Sequence, residues 1–102
     1  MKVLFLLLLV FVSCESNSKV VVGAQNTSEY LNLLTGKSVA LVVNQTSRVD
    51  GTHLIDFLMS KNVSVKKLFA LEHGIRGDYD AGAEVTSTID ERSGLPLSLI
   101  HI

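Results

Sequence analysis

The chain has 102 residues, a formal net charge of −1 and 47% hydrophobic residues, which limits it to one small domain at most. Its nine basic and ten acidic residues nearly balance. That balance argues against a nucleic-acid surface, which needs a clustered basic face. Cys14 is the only cysteine, so an internal disulfide is excluded.

The first predicted element is an N-terminal secretion signal. The stretch MKVLFLLLLVFVSC places Lys2 before an unbroken apolar run. This pattern is typical of a secretory signal that is too short to span a bilayer as an ordinary anchor helix. The alternative is a buried N-terminal helix, but an all-apolar helix has no polar face to show to water.

The end of this apolar run resembles the bacterial lipobox. FVSC carries Phe11 where leucine is usual, and the resemblance implies cleavage before Cys14 and lipidation of that cysteine. A plain signal peptide and a chance cysteine are the alternatives. We predict a lipoprotein signal peptide at residues 1–13, a polar tether at 14–19 and the start of a domain at 20–102.

The next elements, in chain order, are a short strand, a helix and a longer strand. VVVG at residues 20–23 is compatible with a short strand. Ser28 is a candidate cap for a leucine-rich helix, and Gly36 stands where a left-handed C-terminal cap is expected. SVALVV at 38–43 is apolar on both faces, which is typical of a parallel strand that is covered on both sides.

A polar turn, a second helix and a second strand complete the pattern. The turn is predicted at residues 44–52, and the helix at 52–61 has Thr52 as its N-cap. The strand follows at 64–71. Strand, helix and strand in this order predict a right-handed βαβ unit in a parallel sheet.

The remaining chain predicts a long polar loop and one more strand. Residues 72–94 are polar and punctuated by glycine, and a loop of that length is usually functional or disordered. LPLSLI at 95–100 predicts a third strand. So few elements leave the sheet thinly covered. We therefore predict an α/β, Rossmann-like parallel sheet that is incomplete because the chain is the N-terminal part of a longer protein.

Polar side chains follow both core strands of this predicted sheet. Asn44 follows the first strand, and Glu72, His73 and Arg76 follow the second within LEHGIRG. In an open parallel sheet, ligands bind beyond the carboxyl ends of the strands. These two loops are therefore the candidate site.

Each candidate has a functional and a structural interpretation. Glu72 can be a general acid if its surroundings raise its pKa, or an ordinary surface glutamate. His73 can orient Glu72, bind substrate or bind a metal. Arg76 can hold a substrate carboxylate in a bidentate fork, or pair with Asp78 or Asp80.

The sequence carries no signal for a cofactor. It has no GxGxxG or phosphate-binding GK[ST] loop that opens a helix, so no nucleotide is expected. Neither a second histidine nor a cysteine lies at metal-ligand spacing from His73, so no metal is expected.

Three motifs in register resemble one known family. LVVNQTSRVDGTHLIDFL, then VKKLFALEHGIRGDYDAG, then IDERSGLP are similar to the N-terminal domain of the exo-β-N-acetylmuramidases, bacterial peptidoglycan-recycling glycosidases. The family's motifs read NQTS, PEHGFRG and TGLP, and the likeness runs over about residues 20–97. In this chain Leu71 replaces the usual proline and Ile75 the usual phenylalanine.

The resemblance implies a role for each matching residue. Glu72 falls on the family's proposed catalytic glutamate, and Asn44, His73 and Arg76 fall on its other motif positions. The implied fold is a Rossmann-like domain followed by a smaller C-terminal domain, with the active site between them. The implied reaction releases N-acetylmuramic acid from the non-reducing end of peptidoglycan fragments, without a cofactor.

These observations favour a lipid-anchored, bacterial cell-envelope glycosidase that acts on muramyl saccharides. Glycosidases use two carboxylates, and Asp78, Asp80 and Glu84 are the nearby candidates for the second. The alternative is a non-catalytic lipoprotein that binds cell-wall saccharides in the same cleft.

Overall fold

The computed structural model describes residues 18–71, 73–77 and 88–100. Its elements are a 3-10 helix at Gly23–Gln25, helix α1 at Thr27–Leu34, strand β1 at Ser38–Val43, β2 at Arg48–Val49, β3 at Thr52–His53, helix α2 at Leu54–Ser60, β4 at Ser64–Ala70, β5 at Thr88–Ile89 and β6 at Pro96–Leu99. The predicted signal peptide, Cys14 and Glu72 lie outside these ranges. Within them, no helix has the length and apolar character needed to cross a membrane.

The main sheet has the strand order β1-β4-β6-β5. Strands β1 and β4 are parallel neighbours from Ser38 opposite Ser64 to Val43 opposite Ala70. Strand β6 is parallel to β4, and the two-residue β5 is antiparallel to β6 at the edge. The parallel pairing of the two strands that flank α2 and the third strand are therefore confirmed, and the fold is α/β with a Rossmann-like parallel sheet.

The core lies on one face of this sheet. Ile55 and Leu58 on α2 pack against Leu68 of β4 and the neighbouring strands, and all three are at most 2% exposed. Burial of such side chains stabilises a fold by about 1.5–3 kcal/mol each. The expectation that β1 is covered on both faces is wrong in this structure, since Val42 is 63% exposed.

A bulge in β4 explains its irregular burial pattern. Val39 is opposite Val65, but the next residue of β1, Ala40, is opposite Lys67, so Lys66 is an extra residue. An extra residue shifts the alternation of side chains by one position. As a result, Val65 and Leu68 both face the core although they are three residues apart.

Three predictions about residues 20–36 have different outcomes. Residues 20–22 form no strand and precede the 3-10 helix instead. Helix α1 begins one residue before Ser28, and its N-cap, Asn26, makes no side-chain capping bond. Gly36 has a φ of 70°, which confirms the left-handed C-terminal cap.

The predicted turn at 44–52 contains a small hairpin of β2 and β3, which pair antiparallel. Asp50 and Gly51 join them with φ values of 46° and 81°. Two consecutive positive φ angles are typical of the hairpin turn that Asp-Gly favours. Thr52 is therefore in a strand and not the cap of α2, which is His53.

Candidate functional site

The loops after β1 and β4 begin at the same level of the sheet. Val43 and Ala70, the last residues of these parallel strands, are directly opposite each other. The segments that follow, residues 44–47 and 71–77, therefore leave the same carboxyl edge side by side. This edge is where ligands bind in open parallel sheets.

Asn44 organises the loop after β1. Its Oδ1 accepts hydrogen bonds from the amide of Thr46 at 3.0 Å, the hydroxyl of Thr46 at 2.8 Å and the hydroxyl of Ser47 at 3.3 Å. The Ser47 hydroxyl also lies 3.1 Å from the Asn44 amide. An asparagine that bonds the backbone two residues ahead forms a tight turn, so Asn44 holds its own loop in shape.

The loop after β4 takes a backbone path that few residues favour. His73 and Gly74 have φ values of 69° and 73°, and Gly77 has a φ of 83°. A β-carbon on Gly77 would lie 3.5 Å from Cβ of Gln45, so the two loops approach each other closely here. His73 is exposed, and its left-handed backbone is uncommon for a residue other than glycine.

His53 connects the two loops through its side chain. Its Nε2 lies 2.9 Å from the carbonyl oxygen of Asn44 and 2.8 Å from that of Ile75. Its Nδ1 accepts a hydrogen bond from the amide of Ile55, which caps α2. The side chain is 5% exposed, so the contacts are shielded from water.

Arg76 is held between two carboxylates. Its Nε and Nη2 donate to the two oxygens of Asp90, both at 2.9 Å. Its Nη1 and Nη2 donate to Asp56 at 3.1 and 3.2 Å. Both pairs are bidentate, the geometry that makes guanidinium–carboxylate contacts strong and specific. The guanidinium thus joins the loop after β4 to α2 and to the segment before β6.

The electrostatics of this cluster favour its charged form. The hydrogen bond from Arg76, together with those from Ser93, lowers the pKa of Asp90 to about 2, against the opposing effect of burial. The same bond to Asp90 is the largest cause of the raised pKa of Arg76, to which Asp56 also contributes. Arg92 lies 3.6 Å from Asp56 but is 72% exposed, so that contact adds little.

Two clefts flank Arg76. One of about 400 Å³ has Ile75, Asp90 and Leu97 in its lining, and the other, of about 390 Å³, has Arg48 and Asp56. Cavities of this size accommodate small organic ligands. Among residues 18–71, 73–77 and 88–100, no group of three or more histidine, cysteine or acidic side chains is placed to hold a metal.

The structure brings together some of the predicted site residues. Asn44 and the loop that carries His73 and Arg76 meet at the sheet edge, whereas Glu72 lies outside the described residues. Within the described residues, Arg76 bonds Asp56 and Asp90, which sequence reasoning did not select; the alternative partners Asp78 and Asp80 also lie outside these residues.

His53 was missed as well. The predicted helix, with Thr52 as its N-cap, makes His53 its first residue and gives it no role. The Asp-Gly pair at 50–51 was the available signal, because it predicts a hairpin and moves the start of α2 forward.

Comparisons with known proteins agree with this geometry. Residues 39–101 match the family described as exo-beta-N-acetylmuramidase NamZ, N-terminal. The peptidoglycan beta-N-acetylmuramidase NamZ of Bacillus subtilis (strain 168) is 37% identical over 75 residues, which are 72% of this chain and 18% of that protein.

A solved structure is also similar. The crystal structure of a DUF1343 family protein from Bacteroides fragilis NCTC 9343 superposes with a TM-score of 0.69 at 35% identity, and the match covers 81% of this chain and 21% of that one. The chain thus spans about a fifth of the length of these relatives. The family match covers more than half of the chain, and the chain belongs to the exo-β-N-acetylmuramidase NamZ family, in its N-terminal domain.

Proposed function

We propose that the protein containing this chain is an exo-β-N-acetylmuramidase, which releases the terminal non-reducing N-acetylmuramic acid from peptidoglycan fragments. The family match over residues 39–101 carries this proposal. The sheet edge supports it, because two polar loops meet where parallel sheets bind ligands. Glycoside hydrolysis needs acid–base groups and water, so no cofactor is required.

In this proposal Glu72 is the general acid, and Asn44, His73 and Arg76 lie around the substrate. The exposed side chain of His73 is free to contact a saccharide. Four N–H groups of Arg76 already donate hydrogen bonds to Asp56 and Asp90. Of its five N–H groups, one on Nη1 has no partner among the residues that the structure describes, and we assign it to the lactyl carboxylate that distinguishes muramic acid.

The test is release of N-acetylmuramic acid from a muramyl-glucosamine disaccharide by the complete protein. Glu72→Gln should lower turnover by roughly 10²–10⁴, the usual contribution of a positioned general acid. Glu29→Gln is the matched control, since Glu29 is exposed on α1. If the Glu72→Gln protein keeps the unmodified rate, Glu72 is not the acid.

The same assay separates the enzyme from a saccharide-binding lipoprotein. A binding protein would release no N-acetylmuramic acid in its unmodified form, and Glu72→Gln would leave its affinity for the disaccharide unchanged. Release of N-acetylmuramic acid by the unmodified protein therefore separates the two functions, and calorimetric titration of the Glu72→Gln form, which consumes the disaccharide slowly or not at all, shows that the site still binds its ligand.

We also propose that the mature protein is anchored in the bacterial cell envelope by a lipid on Cys14. The lipobox-like FVSC after a short apolar run supports this proposal. Mass spectrometry of the protein from a bacterial host should find an N-terminus at Cys14 that carries acyl chains. An uncleaved chain with an unmodified Cys14 would contradict the anchor but not the enzyme.

A further inference from the structure

We propose that His53 is a positioning residue for the reaction, because it fixes the two loops of the candidate site relative to each other. This inference rests on the proposed function for its kinetic consequences. Its structural part rests on the three hydrogen bonds of one buried imidazole.

The first step concerns the tautomer of His53. Nδ1 faces the amide of Ile55, which can only donate, so Nδ1 must be the acceptor. Nε2 faces two carbonyl oxygens, which can only accept, so Nε2 must carry the proton. The contacts therefore specify a neutral imidazole with its single proton on Nε2.

The second step concerns what that proton holds together. Asn44 directly follows β1, and Ile75 lies five residues beyond the end of β4. One N–H is shared between their carbonyl oxygens at 2.9 and 2.8 Å. Bifurcated hydrogen bonds are common at helix termini, and His53 is the N-cap of α2. The side chain of His53 thus spans the gap between the two polar loops.

The third step concerns why the site needs this bridge. Residues 73–77 include three positive φ angles, and that of His73 is the one on a residue other than glycine. A left-handed residue other than glycine persists only where its surroundings constrain it. Ile75 lies in the middle of this segment, between His73 and Arg76. A shift of about 1 Å in a positioning group can cost roughly 10²-fold in rate, so loss of the bridge should reduce catalysis.

Three substitutions separate the bridge from the helix cap. The amide nitrogen of His53→Gln lies near the position of Nε2 and can still donate, but the cap is lost. The shorter His53→Asn keeps a good cap and cannot reach both carbonyls. His53→Met has the length of glutamine and provides neither contact.

The kinetics of the complete protein on the muramyl-glucosamine disaccharide give the first readout. We expect kcat of His53→Gln within about threefold of the unmodified protein, and kcat of both His53→Asn and His53→Met roughly 10- to 100-fold lower with little change in KM. A purely structural role would instead give folded variants with equal kcat. Folded asparagine and methionine variants with full kcat would overturn the proposal, as would a glutamine variant as slow as methionine.

The second readout uses the unmodified protein and does not depend on whether a variant folds. The nitrogen-15 NMR spectrum of His53 should show a protonated Nε2 and an unprotonated Nδ1, with slow exchange of the Nε2 proton. The opposite tautomer would overturn the bridge. If the unmodified protein is inactive, the proposed function fails while this spectrum still decides the bridge.

Discussion

The loops after β1 and β4 lie side by side at one sheet edge but are held in different ways. Asn44 shapes the first loop with neutral bonds to residues two and three positions ahead. The second loop is held by Arg76, whose partners are 20 and 14 residues away. Apart from the bridge through His53 that both loops share, the first loop therefore depends on local neutral contacts, whereas the second depends on charge and on distant elements.

This difference predicts that substitution of Arg76 destabilises the fold more than substitution of Asn44. Replacement of Arg76 by methionine keeps the length of the side chain but leaves Asp90, which is 7% exposed, without its guanidinium. Removal of one partner from a buried ion pair costs about 3–5 kcal/mol. The pair with Asp56 is more exposed, at 23%, so we expect a loss of about 3 kcal/mol, measured by urea unfolding.

Two controls sharpen this comparison. Arg92→Gln removes an exposed cation near Asp56 and should cost less than about 0.5 kcal/mol. Asn44→Ala removes the local bonds of the first loop and should cost about 1 kcal/mol, the usual contribution of such a hydrogen bond. If Arg76→Met costs no more than Asn44→Ala, the charge cluster does not hold the second loop.

The same difference explains what the sequence could and could not predict. The parallel β1–β4 pair and α2 follow from apolar periodicity over 38–71, and the two loops follow from that topology. The partners of Arg76 cannot be predicted from this periodicity, because Asp56 and Asp90 contact Arg76 only after α2 and β6 have packed. Sequence order offered only Asp78 and Asp80, because they are close to Arg76 along the chain, and both lie outside the described residues.

His53 illustrates a second limit of prediction from the sequence. Its role depends on the start of α2, and element boundaries are the least certain part of any assignment from sequence. A shift of a single residue exchanges Thr52 and His53 as the helix cap. Recognition of the Asp-Gly hairpin would have placed the boundary correctly, yet the meeting of Asn44 and Ile75 at the imidazole still requires the folded chain.

The last prediction concerns the stability of the fold at low pH. Of the two loops, only the one after β4, which Arg76 holds through ion pairs, should lose stabilising contacts in acid. Because the folded pKa of Asp90 is about 2 and the ordinary value for aspartate is about 3.9, the unfolded state binds its proton more readily. The contribution to stability is therefore fully present above about pH 5 and is lost as the pH falls towards 2. A shift of about two pKa units corresponds to about 2.6 kcal/mol in full, of which about 2 kcal/mol is lost by pH 2, where Asp90 is half protonated in the folded state. The measurement is urea unfolding of the unmodified protein and of Asp90→Asn between pH 5 and 2. The difference in unfolding free energy between the two proteins should shrink by about 2 kcal/mol over this range, since asparagine does not titrate. A difference that stays constant with pH would show that the bond between Asp90 and Arg76 does not stabilise the folded state.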